Sequence, residues 1–222
     1  MKIGILQTGR APEALVKEHG DYDKMFIELL SDPRFSFNNF PVLDSVFPKI
    51  SDYDGYIITG SRFGVYENYP WISQLEDFIR ACFESDIPVA GFCFGHQIMA
   101  QALGGKVEKF DGGWAVGVEN YQIQGDTVSL LAWHQDQVIT PPDNSKTIAS
   151  SDFCKFAGLT YGKKGFSLQA HPEFNTDFVK GLMSVRGETL NTEIKKNFEK
   201  NIDTPIGTNK ISKMIKEFFL QL

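Results

Sequence analysis

A cysteine flanked by two glycines, between an apolar run and a segment with helical spacing, constrains this chain more than any other feature. Residues 87–90 form the apolar run and residues 98–103 the helical segment. Gly91, Cys93 and Gly95 lie between them. This order predicts a buried strand that enters a helix through a tight turn. Free N–H groups and the helix dipole at such an N-terminus favour a thiolate and can bind an oxyanion, so Cys93 is a candidate nucleophile.

Composition narrows the class of protein. The chain has 222 residues, 42% hydrophobic and 23% charged, which is typical of a soluble globular protein, and we expect a single domain over residues 1–222. A formal charge of −6 argues against nucleic acid as a partner, because phosphate binding depends on Lys and Arg. No apolar run is long enough for a signal peptide or a membrane helix. Three cysteines, an odd and sparse set, favour a reducing, cytoplasmic location.

Strand and helix patterns alternate in the first half, which predicts an α/β fold with an open, mostly parallel sheet flanked by helices. Residues 10–22 are predicted to form a loop with room for one helical turn. Sites in such sheets lie beyond the carboxyl ends of strands, where Gly60, Ser61 and Cys93 fall. The predicted strands are 2–7, 35–42, 56–59 and 88–92, and the predicted helices are 23–30 and 71–85.

Short β-type runs separated by turn residues follow residue 105. They predict antiparallel strands that either extend the sheet or form a small second one. Apolar side chains at helical spacing predict two further helices near the end of the chain. The predicted strands are 107–110, 116–124, 127–132, 147–151, 153–159 and 165–169, and the predicted helices are 176–190 and 209–222.

A cysteine nucleophile needs a base, and the base needs an orienting partner. His171 and Glu173 offer both at the end of a β-type run, where residues i and i+2 point to the same side. The other cysteines are Cys82, between Ala81 and Phe83, and Cys154, between Phe153 and Lys155, and both are interpreted as inert core residues. Cys93 and His96 have a ligand-like spacing, but no second close pair exists, so no metal site is expected.

The segment 91–97 together with His171-Pro172-Glu173 resembles the signature of class I glutamine amidotransferases, the type with a Cys-His-Glu triad. The resemblance covers the chain to about residue 190 and is closest to the amidotransferase domain of GMP synthase and to stand-alone γ-glutamyl peptide hydrolases. It implies a flavodoxin-like α/β fold. It also implies that Cys93 is the nucleophile, His171 the general base and acid, and Glu173 the residue that orients His171.

The resemblance also implies a set of binding residues. Backbone N–H groups of Phe94 and of the Gly60-Ser61 turn would form the oxyanion hole. Gln97 would line the pocket for the glutamyl group. Residues 133–136 resemble the family's His-Gly-Asp segment, with glutamine in place of the glycine. The segment's implied substrate-binding residues are His134, Gln135 and Asp136.

The implied reaction is hydrolysis of a γ-glutamyl amide through a thioester, with no cofactor. The chain has no phosphate-binding loop and little length after the triad for an ATP-binding domain. We therefore expect a stand-alone hydrolase of glutamine or a small γ-glutamyl compound. Two alternatives stay open: a glutaminase subunit that supplies ammonia to a separate synthetase, and a non-catalytic binding protein of the same fold. The aromatic loop 63–71 is equally consistent with a substrate lid and with simple packing.

Overall fold

The computed structural model describes residues 1–221. Strands and helices alternate up to residue 102, and short strands dominate residues 106–168. The strands are β1 (Lys2–Leu6), β2 (Ser36–Phe40), β3 (Gly55–Ile58), β4 (Val89–Phe92), β5 (Lys106–Lys109), β6 (Ala115–Ile123), β7 (Asp126–His134), β8 (Asp136–Thr140), β9 (Lys146–Ser150), β10 (Gly158–Thr160) and β11 (Gly165–Leu168). The helices are α1 (Glu13–His19), α2 (Tyr22–Leu29), α3 (Pro70–Glu84), α4 (Phe94–Ala102), α5 (Thr176–Arg186), α6 (Thr192–Asn201) and α7 (Thr208–Leu220).

Nine strands form one sheet in the order β2-β1-β3-β4-β11-β10-β9-β6-β7. The pairs from β2 to β11 are parallel, and those from β11 to β7 are antiparallel. Strands β5 and β8 form a separate antiparallel pair. The predicted α/β fold, mostly parallel with an antiparallel extension, is confirmed. Both arrangements that the second half left open occur, since its strands extend the sheet and also form a small second one.

Helices cover both faces of the parallel part of the sheet. In β3, Tyr56 and Ile58 pack into a cluster with residues of α3 and α4. Ile57 points to the opposite face, where residues of α2 and α7 pack. The near-continuous apolar character of β1, β3 and β4 follows from this double burial. No helix within residues 1–221 combines the length and apolar character that crossing a membrane would require.

Several predicted boundaries were wrong, each for a physical reason. The predicted loop 10–22 contains α1, which buries none of its side chains and so lacks an apolar stripe. The predicted strand 153–159 is mostly a turn, in which the Ser151 hydroxyl accepts the N–H of Cys154 at 2.9 Å, and only the short β10 follows. Helix α6, which was not predicted, is polar and buries only Phe198. The last residue of the predicted helix 209–222, Leu222, lies outside the described residues.

Two glycines allow α4 to pack directly against the strands that precede it. A Cβ atom on Gly95 would lie 2.4 Å from the carbonyl oxygen of Ile58 in β3. A Cβ atom on Gly91 would lie 2.4 Å from the carbonyl oxygen of Gly95. Backbone atoms cannot retreat as a flexible side chain can, so any larger residue at either position displaces the helix. The glycine spacing seen in the sequence therefore reflects close contact between strand and helix.

We expect Gly95→Ala to lower the free energy of unfolding by about 1–3 kcal/mol, because the new methyl group overpacks the α4–β3 contact. Urea denaturation followed by circular dichroism measures this change. The exposed Glu84→Ala variant at the end of α3 is the control and should shift stability by less than about 0.5 kcal/mol. Equal stability of the Gly95→Ala and unsubstituted proteins would contradict the proposed contact.

Candidate active site

Cys93 occupies the turn between β4 and α4 in a conformation that side-chain-bearing residues rarely adopt. Its φ and ψ angles are 52° and −105°. Its N–H donates to the carbonyl of Leu168 in β11 at 2.9 Å, and its carbonyl accepts the N–H of Gln97 at 3.1 Å. Strained turns of this kind raise a nucleophile above the edge of a sheet. The predicted junction of strand, turn and helix is confirmed.

His171 and Glu173 lie beside Cys93 and are buried. The Glu173 Oε1 atom is 2.7 Å from His171 Nδ1. The predicted contact is present, but the strand alternation offered as its reason was wrong. His171 makes a single bridge to Leu131 of β7, and a turn at residues 172–173 brings the carboxylate back to the imidazole. The ring of Phe174 stacks on the imidazole, with centroids 4.0 Å apart and an interplanar angle of 4°.

The surroundings of His171 favour its charged form. Burial alone disfavours an imidazolium, but the negative charges of Glu173 and of a Cys93 thiolate outweigh it and raise the pKa of His171 above its ordinary value. Because Nδ1 is paired with Glu173, Nε2 is the ring nitrogen that is available for proton transfer. The arrangement therefore supplies an imidazolium next to a cysteine, oriented by a buried carboxylate.

The turn at Gly60 and Ser61 passes directly over these groups. A Cβ atom on Gly60 would lie 2.9 Å from His171 Cε1 and 3.7 Å from Cys93 Cβ, so only glycine fits there. The Ser61 hydroxyl donates to the carbonyl of Thr8 at 2.7 Å and holds the turn in place. Phe94 is the first residue of α4, where N–H groups lack intrahelical acceptors. The backbone predicted to form an oxyanion hole thus borders Cys93 from two sides.

The residues predicted to bind substrate line the same cleft, which has a volume of about 600 Å³. Gln97 Nε2 donates to the carbonyl of Asp136 at 2.7 Å and to Gln169 Oε1 at 3.0 Å. His134 is buried, with Nδ1 3.3 Å from the same Asp136 carbonyl. Gln135 Nε2 donates to the carbonyl of Phe110 at 3.1 Å. The structure therefore gathers Gln97, His134, Gln135 and Asp136 on one wall of the cleft, held largely by their own hydrogen bonds.

The other titratable candidates are built into the core. Burial raises the pKa of the Cys82 and Cys154 thiols to about 12. His96 is buried, with Nδ1 2.8 Å from the Ser167 hydroxyl and Nε2 2.9 Å from the Phe156 carbonyl. Among residues 1–221, no group of three or more His, Cys, Asp or Glu side chains is arranged to hold a metal ion.

The aromatic loop at residues 63–71 serves partly as packing and partly as cleft wall. Trp71 is buried and contacts Phe94, with ring centroids 5.5 Å apart. Phe63 packs edge-on against Trp71 and also lines the cleft. Tyr66 is 51% exposed and donates its hydroxyl to Asp136 Oδ2 at 3.0 Å. The loop therefore joins the core to the rim of the cleft.

Sequence reasoning missed part of the cleft lining. These residues come from α2, α5 and the turn after Glu173, and they include Tyr22, Phe174, Leu182 and Arg186. These residues are far apart in the chain and carry no short motif. Only Phe174, adjacent to Glu173, could have been suspected from its position.

Several known proteins are similar to this chain in sequence. The family model of the class-I glutamine amidotransferases matches residues 21–178. Gamma-glutamyl peptidase 4 of Arabidopsis thaliana is 31% identical, over 73% of this chain and 72% of that protein. One subunit of the glutamine-hydrolysing GMP synthase of Archaeoglobus fulgidus is 27% identical, over 72% of this chain and 87% of that protein.

Solved structures share the fold. A glutamine amidotransferase of Thermotoga maritima superimposes with a TM-score of 0.77 at 19% identity, covering 100% of this chain and 96% of that one. A glutamine amidotransferase of Methylobacillus flagellatus gives a TM-score of 0.79 at 20% identity, covering 99% and 94%. The chain belongs to the class-I glutamine amidotransferase family.

The buried histidines of the site and core should differ in charge at neutral pH. Burial lowers the pKa of His96 to about 4 and, more strongly, that of His134 to about 3, whereas the pKa of His171 is raised. Nitrogen-15 NMR of histidine-labelled protein at pH 7 should show one imidazolium from this set, and Glu173→Gln should lower its pKa. A neutral His171 at pH 7 would contradict the raised pKa of this residue.

Alkylation should distinguish the three cysteines. Cys93 lines the cleft, whereas Cys82 and Cys154 are buried thiols with raised pKa values. Iodoacetamide at neutral pH should label Cys93 alone in the folded protein, and all three cysteines after denaturation, as measured by peptide mass spectrometry. Equal labelling of the three cysteines in the folded protein would rule out a special environment at Cys93.

Proposed function

We propose that this protein is a cysteine-dependent hydrolase that cleaves the γ-amide bond of γ-glutamyl compounds. The observation that carries the proposal is that Cys93, in a strained turn at a helix N-terminus, lies beside a buried pair of side chains. In that pair, His171 Nδ1 is 2.7 Å from Glu173 Oε1. Family membership and the similarity to a γ-glutamyl peptidase support the same class of reaction. On this proposal residues 1–222 act as one catalytic domain.

The reaction follows from the chemistry of these groups. The Cys93 thiolate attacks the γ-carbonyl carbon, and the resulting oxyanion accepts hydrogen bonds from Phe94 and from the Gly60-Ser61 turn. His171 donates its proton to the nitrogen as the C–N bond breaks, which leaves a γ-glutamyl thioester and a free amine. Water then loses a proton to His171 and attacks the thioester carbon, and the C–S bond breaks to release the γ-carboxyl group of glutamate and the Cys93 thiolate beside the protonated His171.

The size of the cleft favours a substrate larger than glutamine. Its volume of about 600 Å³ lies in the middle of the range for sites that hold drug-sized ligands. The γ-glutamyl group would lie near Gln97 and the 134–136 segment. Space then remains beyond the scissile bond for an amine larger than ammonia. We therefore propose a γ-glutamyl dipeptide or related amide as the preferred substrate, with glutamine as a poorer one.

A second candidate function is the supply of ammonia to a separate synthetase. The similarity to one subunit of an archaeal GMP synthase supports it. Such a protein would hydrolyse glutamine slowly alone and faster with its partner, whereas a stand-alone hydrolase would need no partner. Glutaminase rates with and without added cell extract distinguish the two.

Purified protein should release glutamate from a γ-glutamyl dipeptide, and Cys93→Ser should reduce kcat/KM by at least about a thousandfold, because an alcohol cannot replace the thiolate in this site. Enzyme-coupled glutamate detection measures the rate. The matched control is Cys82→Ser, which removes a thiol of the core. The folded fraction of this variant should retain full activity. Undiminished activity of the Cys93→Ser protein would disprove the assignment.

A further inference from the structure

Two of the five arginines lack a carboxylate partner among residues 1–221, and both line the cleft. Arg10, Arg34 and Arg80 form ion pairs with Asp44, Asp32 and Asp77, respectively. Within residues 1–221, no carboxylate oxygen lies within the 4.0 Å ion-pair distance of Arg62 or Arg186. Arg62 is exposed and lies over the ring of Phe63, 5.0 Å from its centroid. Arg186 is half-buried, where an unpaired charge is more costly.

A phenol is the polar neighbour of Arg186. Burial raises the pKa of Tyr22 to about 12, and the positive charge of the nearby Arg186 guanidinium partly offsets that rise. Tyr22 itself packs on Phe174, with ring centroids 5.9 Å apart. A neutral phenol leaves most of the guanidinium's five N–H donors without an acceptor. The positive charge of Arg186 is therefore not neutralised by its surroundings, and a ligand could supply the missing negative charge.

The position of Arg186 relative to His171 indicates which part of a substrate it would meet. The cleft lining includes His171, Phe174, Tyr22 and Arg186. Phe174 stacks on His171 and also packs on Tyr22. Arg186 follows Leu182, which belongs to the same apolar cluster as Tyr22 and Phe174, by one turn of α5. The leaving nitrogen must lie next to His171, which protonates it. The γ-glutamyl group must extend the other way, toward Gln97 on the first turn of α4. In this orientation Arg186 would lie on the side of the leaving amine.

We propose that Arg186 binds a carboxylate carried by the leaving amine, so that the substrates are γ-glutamyl amino acids or peptides rather than simple γ-glutamyl amides. This inference rests on the proposed function. A guanidinium matches a carboxylate in a planar, two-bonded arrangement, and the half-buried position strengthens the pair. Arg186 is then a specificity-determining residue of the cleft wall, close to Tyr22.

Two other roles for Arg186 lead to different outcomes. As a cation in the last turn of α5 it stabilises the helix dipole, and as a positive charge near the catalytic centre it could offset the buried Glu173 carboxylate. Neither role depends on the chemistry of the leaving amine. In the first case a substitution of Arg186 would reduce the stability of the protein. In the second case it would reduce the rate by the same factor for every substrate.

The role of Arg186 is tested by comparing two substrates that differ only in the carboxylate of the leaving amine. γ-Glutamylglycine and γ-glutamyl methylamide share the scissile bond, and only the first carries a carboxylate on the leaving amine. We expect unsubstituted protein to prefer γ-glutamylglycine in kcat/KM. Arg186→Gln should reduce this preference by about tenfold to a hundredfold, mainly through KM, and Arg186→Lys should restore part of it.

The control variant Lys180→Gln removes a cation from the same helix outside the cleft, where Lys180 pairs with Asp203 at 2.7 Å, and it should leave the preference unchanged. Equal loss on both substrates in Arg186→Gln, or loss of the preference in Arg62→Gln instead, would overturn the role of Arg186 and leave the proposed function intact. Absence of hydrolysis with either substrate in the unsubstituted protein would overturn the proposed function and this inference together.

Discussion

The contact between Gly95 and the carbonyl oxygen of Ile58 determines where α4 begins, and most of the site depends on that point. A side chain on Gly95 would push the helix away from the sheet. Because α4 packs closely against the strands, the chain must turn sharply at Cys93, whose φ angle is 52°. The Gly60-Ser61 turn and the segment around His171 then close on Cys93 from the ends of neighbouring parallel strands, as expected for an open α/β sheet.

The charged groups around each buried histidine, and not its depth of burial, determine whether its pKa is raised or lowered. Burial keeps His96 and His134 uncharged, and the nearby positive charge of His171 lowers the pKa of His134 further. His171 is equally buried, but the Glu173 carboxylate is 2.7 Å from its ring and Cys93 lies beside it. A buried ion pair is costly unless its partners are well placed, and the stacking of Phe174 fixes the ring in that geometry. The fold thereby holds a charged imidazole next to the Cys93 side chain.

The sequence predicted the part of this arrangement that is local and failed where distant segments meet. Gly91, Cys93 and Gly95 lie within five residues, so strand, turn and helix could be inferred from their order alone. The contact of His171 with Glu173 was expected, yet it arises from a turn and not from strand alternation. Tyr22 and Arg186 have no shared motif, since α2 and α5 come together only through packing. Polar helices such as α6 lack the apolar period on which sequence reasoning depends.

The covalent intermediate tests the central claim most directly. Protein mixed with a γ-glutamyl dipeptide, quenched in acid within the first turnover and digested, should carry one γ-glutamyl group on the peptide that contains Cys93, detected by mass spectrometry. Acid stops the second step because the attacking water needs a base, and the thioester should survive it. A γ-glutamyl group on another residue, or glutamate release in a single-turnover burst with no adduct on Cys93, would contradict the mechanism.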